Sequence, residues 1–349
     1  FLHEQSLAWF NVTVSNVVWL VVGLAEEYSA QALETLGADS PTPSAVSASD
    51  PGAQPLLAWD QDDPANSEAD EQEDYGYAAS WWLVDQLASE VGPEAMAEVI
   101  DAAVDGEIAY QGDGEPESVH GGTDWRRALD LFEEIGGAEA AASLFTSHVV
   151  TDAELPLLAE RDAARQVYAD LVAAGSGWTA PLEVREAMSN WTFVEVAALS
   201  EAASQVLTTR DAVLADLDGT GVAELPGFET AYEGAEDLDA LAAEAQRYAQ
   251  VGSIVSAAQE PQGGVMGTFA RIGLVGADVD GDLHEVAAAL AAGEIADAEQ
   301  LSAEVERRVD GAGLVGVSRY VVAAEVLLGV ALIWMLRQRR VGSGAWSIP

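Results

Sequence analysis

His3 and Glu4 open the chain side by side, and they are the first residues that could do chemistry together. An imidazole can hold a metal ion, and a carboxylate beside it can take a proton from water. The other histidines, His120, His148 and His284, lie far apart in no ligand spacing, so solvent-exposed or packing roles are expected. The string Asp216-Leu217-Asp218-Gly219-Thr220 could present an aspartyl nucleophile or begin a calcium loop. The nucleophile would need a strand before it and a basic residue placed later, but a helical pattern leads into Asp216 and the chain has no lysine. The twelfth position of the calcium loop is Gly227 instead of Glu. A helix end turning at Gly219 is the expectation. Asp278, Asp280 and Asp282 alternate in the same manner, with Leu283 where such a loop needs Gly, and are expected to cap the following helix. Asn11-Val12-Thr13 and Asn190-Trp191-Thr192 fit the glycosylation sequon.

The background of these residues is strongly acidic. The 349 residues hold 60 Asp and Glu against 14 basic residues, all arginine, for a net charge of −46. Such a surface repels phosphate backbones, which excludes nucleic acid as an expected partner. The apolar fraction of 49% and ten tryptophans are far above what a disordered acidic chain carries, so most of the chain should fold. A salt-rich habitat or a GC-rich genome would each produce this bias. Cysteine is absent, which removes disulfides, thiolate catalysis and cysteine-held metals. Residue 1 is Phe within a helical pattern, so the chain reads as a piece of a longer protein.

The elements that must position the chemistry are helical. Residues 1–36 are apolar with few breaks and read as two helices. Residues 37–74 are rich in Pro, Ser and Asp, including the acidic run Glu68 to Asp74, and read as a long surface loop. From Tyr75 the spacing of Trp82, Leu83, Leu87 and Val91 is helical up to Gly92-Pro93. Further helices are predicted at 94–104, 125–135, 138–145, 152–174, 182–189, 193–217, 238–258 and 283–309. No alternation of period two is convincing, so the fold class is all-α.

The opening FLHEQSLAWFN and the later WLVVGLAEEYSA together resemble the gluzincin zinc aminopeptidases of the membrane alanyl-aminopeptidase type. That family carries HExxHxWF, then a Trp-Leu-x-Glu-Gly-x-Ala-Glu-Tyr block about one helix later. His3, Glu4, Trp9 and Phe10 match the first block, and Trp19, Leu20, Gly23, Ala25 and Tyr28 the second. The resemblance implies a zinc cofactor, with His3 a ligand and Glu4 the base that activates zinc-bound water. It also implies a catalytic Tyr about 15 residues before a Gly that ends its helix. Tyr77 stands so before Gly92, with Tyr75 as the nearby competitor, and would donate to the oxyanion. Two of the three implied ligand positions carry hydrocarbon: Leu7 for the second His and Val22 for the Glu. Glu26, one turn beyond Val22, is the candidate replacement ligand. The blocks are also about four residues closer together than in the best-known members.

The C-terminus reads as an anchor. Residues 314–336 form an apolar stretch long enough to cross a bilayer, with Glu325 inside it and Arg337, Arg339 and Arg340 just beyond. The positive-inside rule puts the tail 337–349 in the cytoplasm and the acidic bulk outside a cell membrane. The expected organisation is a gluzincin-type helical catalytic subdomain over 1–110, a helical domain over 111–312, then the membrane helix. A pseudopeptidase that binds a peptide or protein partner is the leading expectation. An active zinc aminopeptidase with a replacement ligand and a structural helical surface protein are the alternatives. A concave, Trp-lined cleft beside Glu4 would separate a binding protein from a scaffold.

Overall fold

The computed structural model describes residues 2–59, 69–112, 114, 116–118, 122–260 and 264–342. The chain is 72% helical and has no strand among the described residues, so it is all-α. It divides into two compact units, Phe1–Ala203 and Ser204–Pro349. Residues 111–203, expected in the second domain, belong with the first unit, because their buried side chains join one core with those of the N-terminal helices.

In the first unit, α1 (Leu2–Ser6) and α2 (Val18–Thr35) are the two helices expected at the start. The first is only five residues long and ends in turns closed by Ser6 O, which accepts from Trp9 N and Phe10 N. The loop after α2 includes a short 3-10 turn, Leu56–Ala58, led in by Pro55, and it delivers Trp59 to the core. Helix α3 (Ala69–Asp105) begins six residues earlier than the sequence pattern suggested. Of the acidic run Glu68 to Asp74, read as loop, Glu68 lies outside the described residues and Glu71 to Asp74 lie instead in the first turns of α3, where carboxylates face the positive end of the helix dipole. The predicted break at Gly92-Pro93 is present as a kink, with Gly92 at φ 82°. A glycine is required there because that conformation is strained for any residue with a Cβ.

The rest of the unit comprises α4 (Trp125–Asp130), α5 (Ala141–Leu144), α6 (Leu155–Gly175) and α7 (Leu182–Ser189). Two π-helical turns, Leu131–Ile135 and Phe145–Val149, continue α4 and α5. Asp124 caps α4 by accepting from Arg126 N and Arg127 N. The predicted helices at 125–135 and 138–145 therefore exist, but with wider turns at their ends.

Helix α8 (Phe193–Asp216) crosses the division between the units. The second unit continues with α9 (Pro226–Glu233), α10 (Leu238–Gln259), α11 (Gly264–Gly273), α12 (Val279–Ala291) and α13 (Ile295–Gly342). The sequence pattern had missed α9 and α11, which are short and glycine-flanked. It had also merged α12 with the start of α13. Gly293 at φ 82° separates them and packs backbone to backbone on Gly227. Helix α13 is long and apolar enough to cross a membrane, and only 6% of its most apolar window is buried.

Helices α2 and α3 cross at a point that admits no side chain. A Cβ on Gly23 would lie 2.4 Å from Ser80 O and 2.6 Å from Val84 Cγ2. Ser80 turns its hydroxyl back onto Gly76 O, which keeps the crossing small. Alanine at position 23 would gain about 1 kcal/mol of helix propensity. The forced separation of the helices should cost more, about 1–3 kcal/mol. Gly23→Ala is therefore expected to lower the urea midpoint; an unchanged or higher midpoint would contradict this crossing.

Candidate functional site

The first unit carries an open cleft of about 440 Å³ between α1, the turn that follows it, α2 and the start of α3. His3, Glu4, Leu7, Val22 and Tyr77 all line it. The chain thus brings together residues 74 positions apart in sequence. The cleft is concave beside Glu4, as a binding protein requires, but its walls are valines and not tryptophans: Val12, Val17, Val18, Val21 and Val22.

Local sequence explains this arrangement. In α1, Leu7 N donates to His3 O, so Leu7 sits one turn beyond His3 on the same side. The chain then turns back under control of Asn11, whose Oδ1 accepts from Thr13 N at 2.9 Å and whose Nδ2 donates to Ala8 O at 2.9 Å. Buried Ser15 anchors the return by donating to Thr123 O at 2.6 Å. Helix α2 is apolar on two faces. Trp19, Leu20 and Leu24 fill the core, with Trp19 edge-on to Phe145 at 5.6 Å. Val18, Val22 and Glu26 are four residues apart and form one line along the helix, in which Val22 is itself buried.

That line brings Glu26 to His3. Glu26 Oε1 lies 3.1 Å from His3 Nδ1, and the two side chains are 32 and 26% exposed. Two ligands bonded to one ion at about 2.0–2.2 Å stand about 3–3.5 Å apart, so this pair has a spacing that a shared cation would accept. A catalytic zinc needs a third protein donor. Leu7 and Val22 occupy the positions from which it would come, and among the described residues no group of three His, Asp or Glu side chains can hold a metal ion. The residues present do not fit the zinc that the sequence resemblance implies.

Tyr77 is set by an aromatic contact that the sequence did not signal. Its ring meets Trp59 edge-on at 5.2 Å. Gly76 makes room for this, since a Cβ there would lie 2.1 Å from the Trp59 ring. Tyr75 is buried away from the cleft, and burial pushes its phenol pKa up. Of the two tyrosines considered, Tyr77 is the one at the cleft.

A second group of polar residues, buried in the same unit, was not singled out from sequence. Asp130 is sealed in the core with Arg161, whose Nε and Nη2 stand 2.7 and 2.6 Å from Asp130 Oδ1. Trp191 Nε1 donates to the other carboxylate oxygen at 2.5 Å, and Tyr110 OH to the first at 3.4 Å. Glu133 shares Arg161 and also pairs with Arg165. Burial pushes Asp130 up to about 6 even against the pull of Arg161. Trp191 is held at φ 58°, strained for an indole-bearing residue, and its bond to Asp130 helps to keep it there. The helical stripe Leu158, Arg161, Ala164 and Leu171 carried the signal, an arginine on an apolar face.

The remaining motifs are structural. Asp278 caps α12 by accepting from Gly281 N at 3.0 Å. The 216–220 string is the end of α8, turning at Gly219 with φ 84°. His148 packs edge-on to Trp82 at 4.9 Å, and burial pulls its pKa down. His284 Nδ1 lies 2.8 Å from Thr220 O. His120 lies outside the described residues. No protein-family model matches the chain, and neither a curated protein nor a solved structure resembles it significantly.

Proposed function

We propose that this is a membrane-anchored, gluzincin-like pseudopeptidase that uses the old catalytic cleft to bind a peptide or a segment of a protein partner. The observation that carries the reading is the cleft itself: His3, Glu4 and Tyr77 converge there, while Leu7 and Val22 supply hydrocarbon in the ligand positions. A valine-walled groove lined by one carboxylate, Glu4, with Glu26 paired to the lining His3, suits an apolar peptide that carries a positive charge. The net charge of −46 would steer such a cation toward the protein. The apolar α13 supports the anchor, and its arginines after residue 336 favour a cytoplasmic tail with the cleft outside the cell membrane.

The test combines binding with composition. A fluorescein-labelled library of apolar, singly basic peptides should show anisotropy changes with the wild-type protein. Val22→Asp, which puts an unpaired charge in the groove wall, should weaken binding at least ~10-fold. Elemental analysis should find far less than one zinc per chain, and no peptide should be cleaved. Hydrolysis abolished by Glu4→Ala, with zinc near one per chain, would overturn the reading in favour of an active aminopeptidase. The 3.1 Å approach of His3 to Glu26 favours that second reading and makes Glu26 the first ligand to replace. Absence of both binding and hydrolysis would leave the helical scaffold.

A further inference from the structure

Helix α11 is bound to the membrane-proximal part of α13 by backbone contact. A Cβ on Gly316 would lie 1.6 Å from Phe269 O, and one on Gly273 would lie 1.9 Å from Ala312 O. Only glycine permits this approach, which is the small-residue packing used between helices in lipid. Arg319 closes the joint. Its Nη1 donates at 2.9 Å to both Ile272 O, in the last turn of α11, and Val275 O, in the turn that follows. A guanidinium there satisfies the negative end of the helix as well as its open carbonyls. Phe269 meets Tyr320 edge-on at 5.7 Å, one residue further along α13.

Three observations place this joint at a membrane surface. First, its rim is apolar and exposed: Val275 is 69%, Leu314 75% and Tyr320 57% exposed. Second, two arginines flank that rim, Arg271, exposed on the last turn of α11, and Arg319, alongside the carboxylates Asp278 and Asp310. Both arginines can meet lipid phosphate, in a protein whose surface is otherwise acidic. Third, the lengths agree. α13 continues unbroken to Gly342, so Arg319 and Arg339 stand twenty residues apart, about 30 Å along the axis, the thickness of the hydrocarbon core. A span over 314–336 would put Glu325 at the midplane, where a carboxylate is most costly. A span beginning at Tyr320 leaves Glu325 about 7.5 Å inside the boundary.

We propose that α11 and the turn after it form a collar in the lipid headgroup layer around α13, locked by Arg319, so that the bilayer span begins at Tyr320. The proposal rests on the reading that α13 crosses a membrane. The headgroup collar would fix the depth of the anchor.

The chain has no cysteine, so single labels can be placed without background. The full-length protein, with Val275→Cys, Leu314→Cys or Val330→Cys, is labelled with a nitrobenzoxadiazole dye. It is then reconstituted in vesicles of phosphatidylcholine and phosphatidylglycerol carrying nitroxides at the headgroup or mid-chain. The labels at 275 and 314 should be quenched at least ~3-fold more by the headgroup nitroxide, and the label at 330 by the mid-chain one. Arg319→Ala should return the label at 275 to aqueous quenchers while the label at 330 stays deep. A deep label at 330 with labels at 275 and 314 in water would overturn the collar alone, as would a label at 314 among the acyl chains. A label at 330 in water would overturn the membrane reading itself.

Discussion

Arg161→Ala is expected to destabilise the first unit by about 3–5 kcal/mol, the loss found when one partner of a sealed ion pair is removed. The side chains of Arg161 and Asp130 are 1 and 2% exposed, so water cannot replace the missing guanidinium. Trp191 and Tyr110 would remain as donors, but neither carries charge. Replacing both partners with apolar residues, Arg161→Met with Asp130→Leu, should cost less than Arg161→Ala alone, because no buried charge is stranded.

The same pair sets a pH dependence with a definite sign. Burial already holds Asp130 near 6 in the folded protein, above the range of an unfolded carboxylate. The folded state thus binds this proton more tightly than the unfolded state. The contribution of Asp130 to stability is greatest below about pH 4 and declines as pH rises to about 6. Without Arg161 the folded value moves higher still, so the decline continues to higher pH. The deficit of Arg161→Ala against wild type should therefore be largest near pH 8 and shrink toward pH 4.5. Urea unfolding followed by the near-ultraviolet signal of the tryptophans would show this. A deficit that grew on acidification would mean that Asp130 is held ionised by other groups.

The parts of the fold legible in the sequence are those where one helix face is apolar and punctuation is clear. The 182–189 and 193–217 predictions agree with α7 and α8 to within a residue because Pro181 and Thr192 mark starts and Asn190 and Gly219 mark ends. Helix α9 was missed because eight residues give barely two turns of pattern, and α11 because three glycines dilute it. One of them, Gly273, has a tertiary reason, the contact with α13, that no local rule contains. At the site, the His3-Glu4 pair and Tyr77 could be named because they are chemically distinctive. The cleft walls could not: valines at 17, 18 and 21 look like core until α2 is seen to be apolar on two faces. Asp130 and Arg161 were hidden among 60 acidic residues and 14 arginines, where pairing across 31 positions leaves no local mark.

Stability should rise with salt, and the concentration at which it rises separates the two origins of the acidity. With 46 net negative charges over 19555 Å² there is one per about 425 Å², a mean spacing of roughly 20 Å. At that distance a pair of charges in water repels by about 0.2 kcal/mol, small alone but repeated across more than a hundred neighbouring pairs. The Debye length is about 30 Å at 0.01 M and about 10 Å at 0.1 M. The general repulsion should therefore be screened within that interval, with a rise in Tm of roughly 5–10 °C, given about 2–4 °C per kcal/mol for a unit of this size. A plateau above about 0.3 M would fit a compositional bias that needs only ordinary screening. A further climb of similar size toward 2 M would mean that clustered carboxylates only a few ångströms apart dominate, the arrangement a salt-adapted surface requires. Scanning calorimetry across sodium chloride concentrations distinguishes the two. A Tm that fell with salt would show instead that the arginine–carboxylate pairs, such as Arg247–Glu299, outweigh the repulsion.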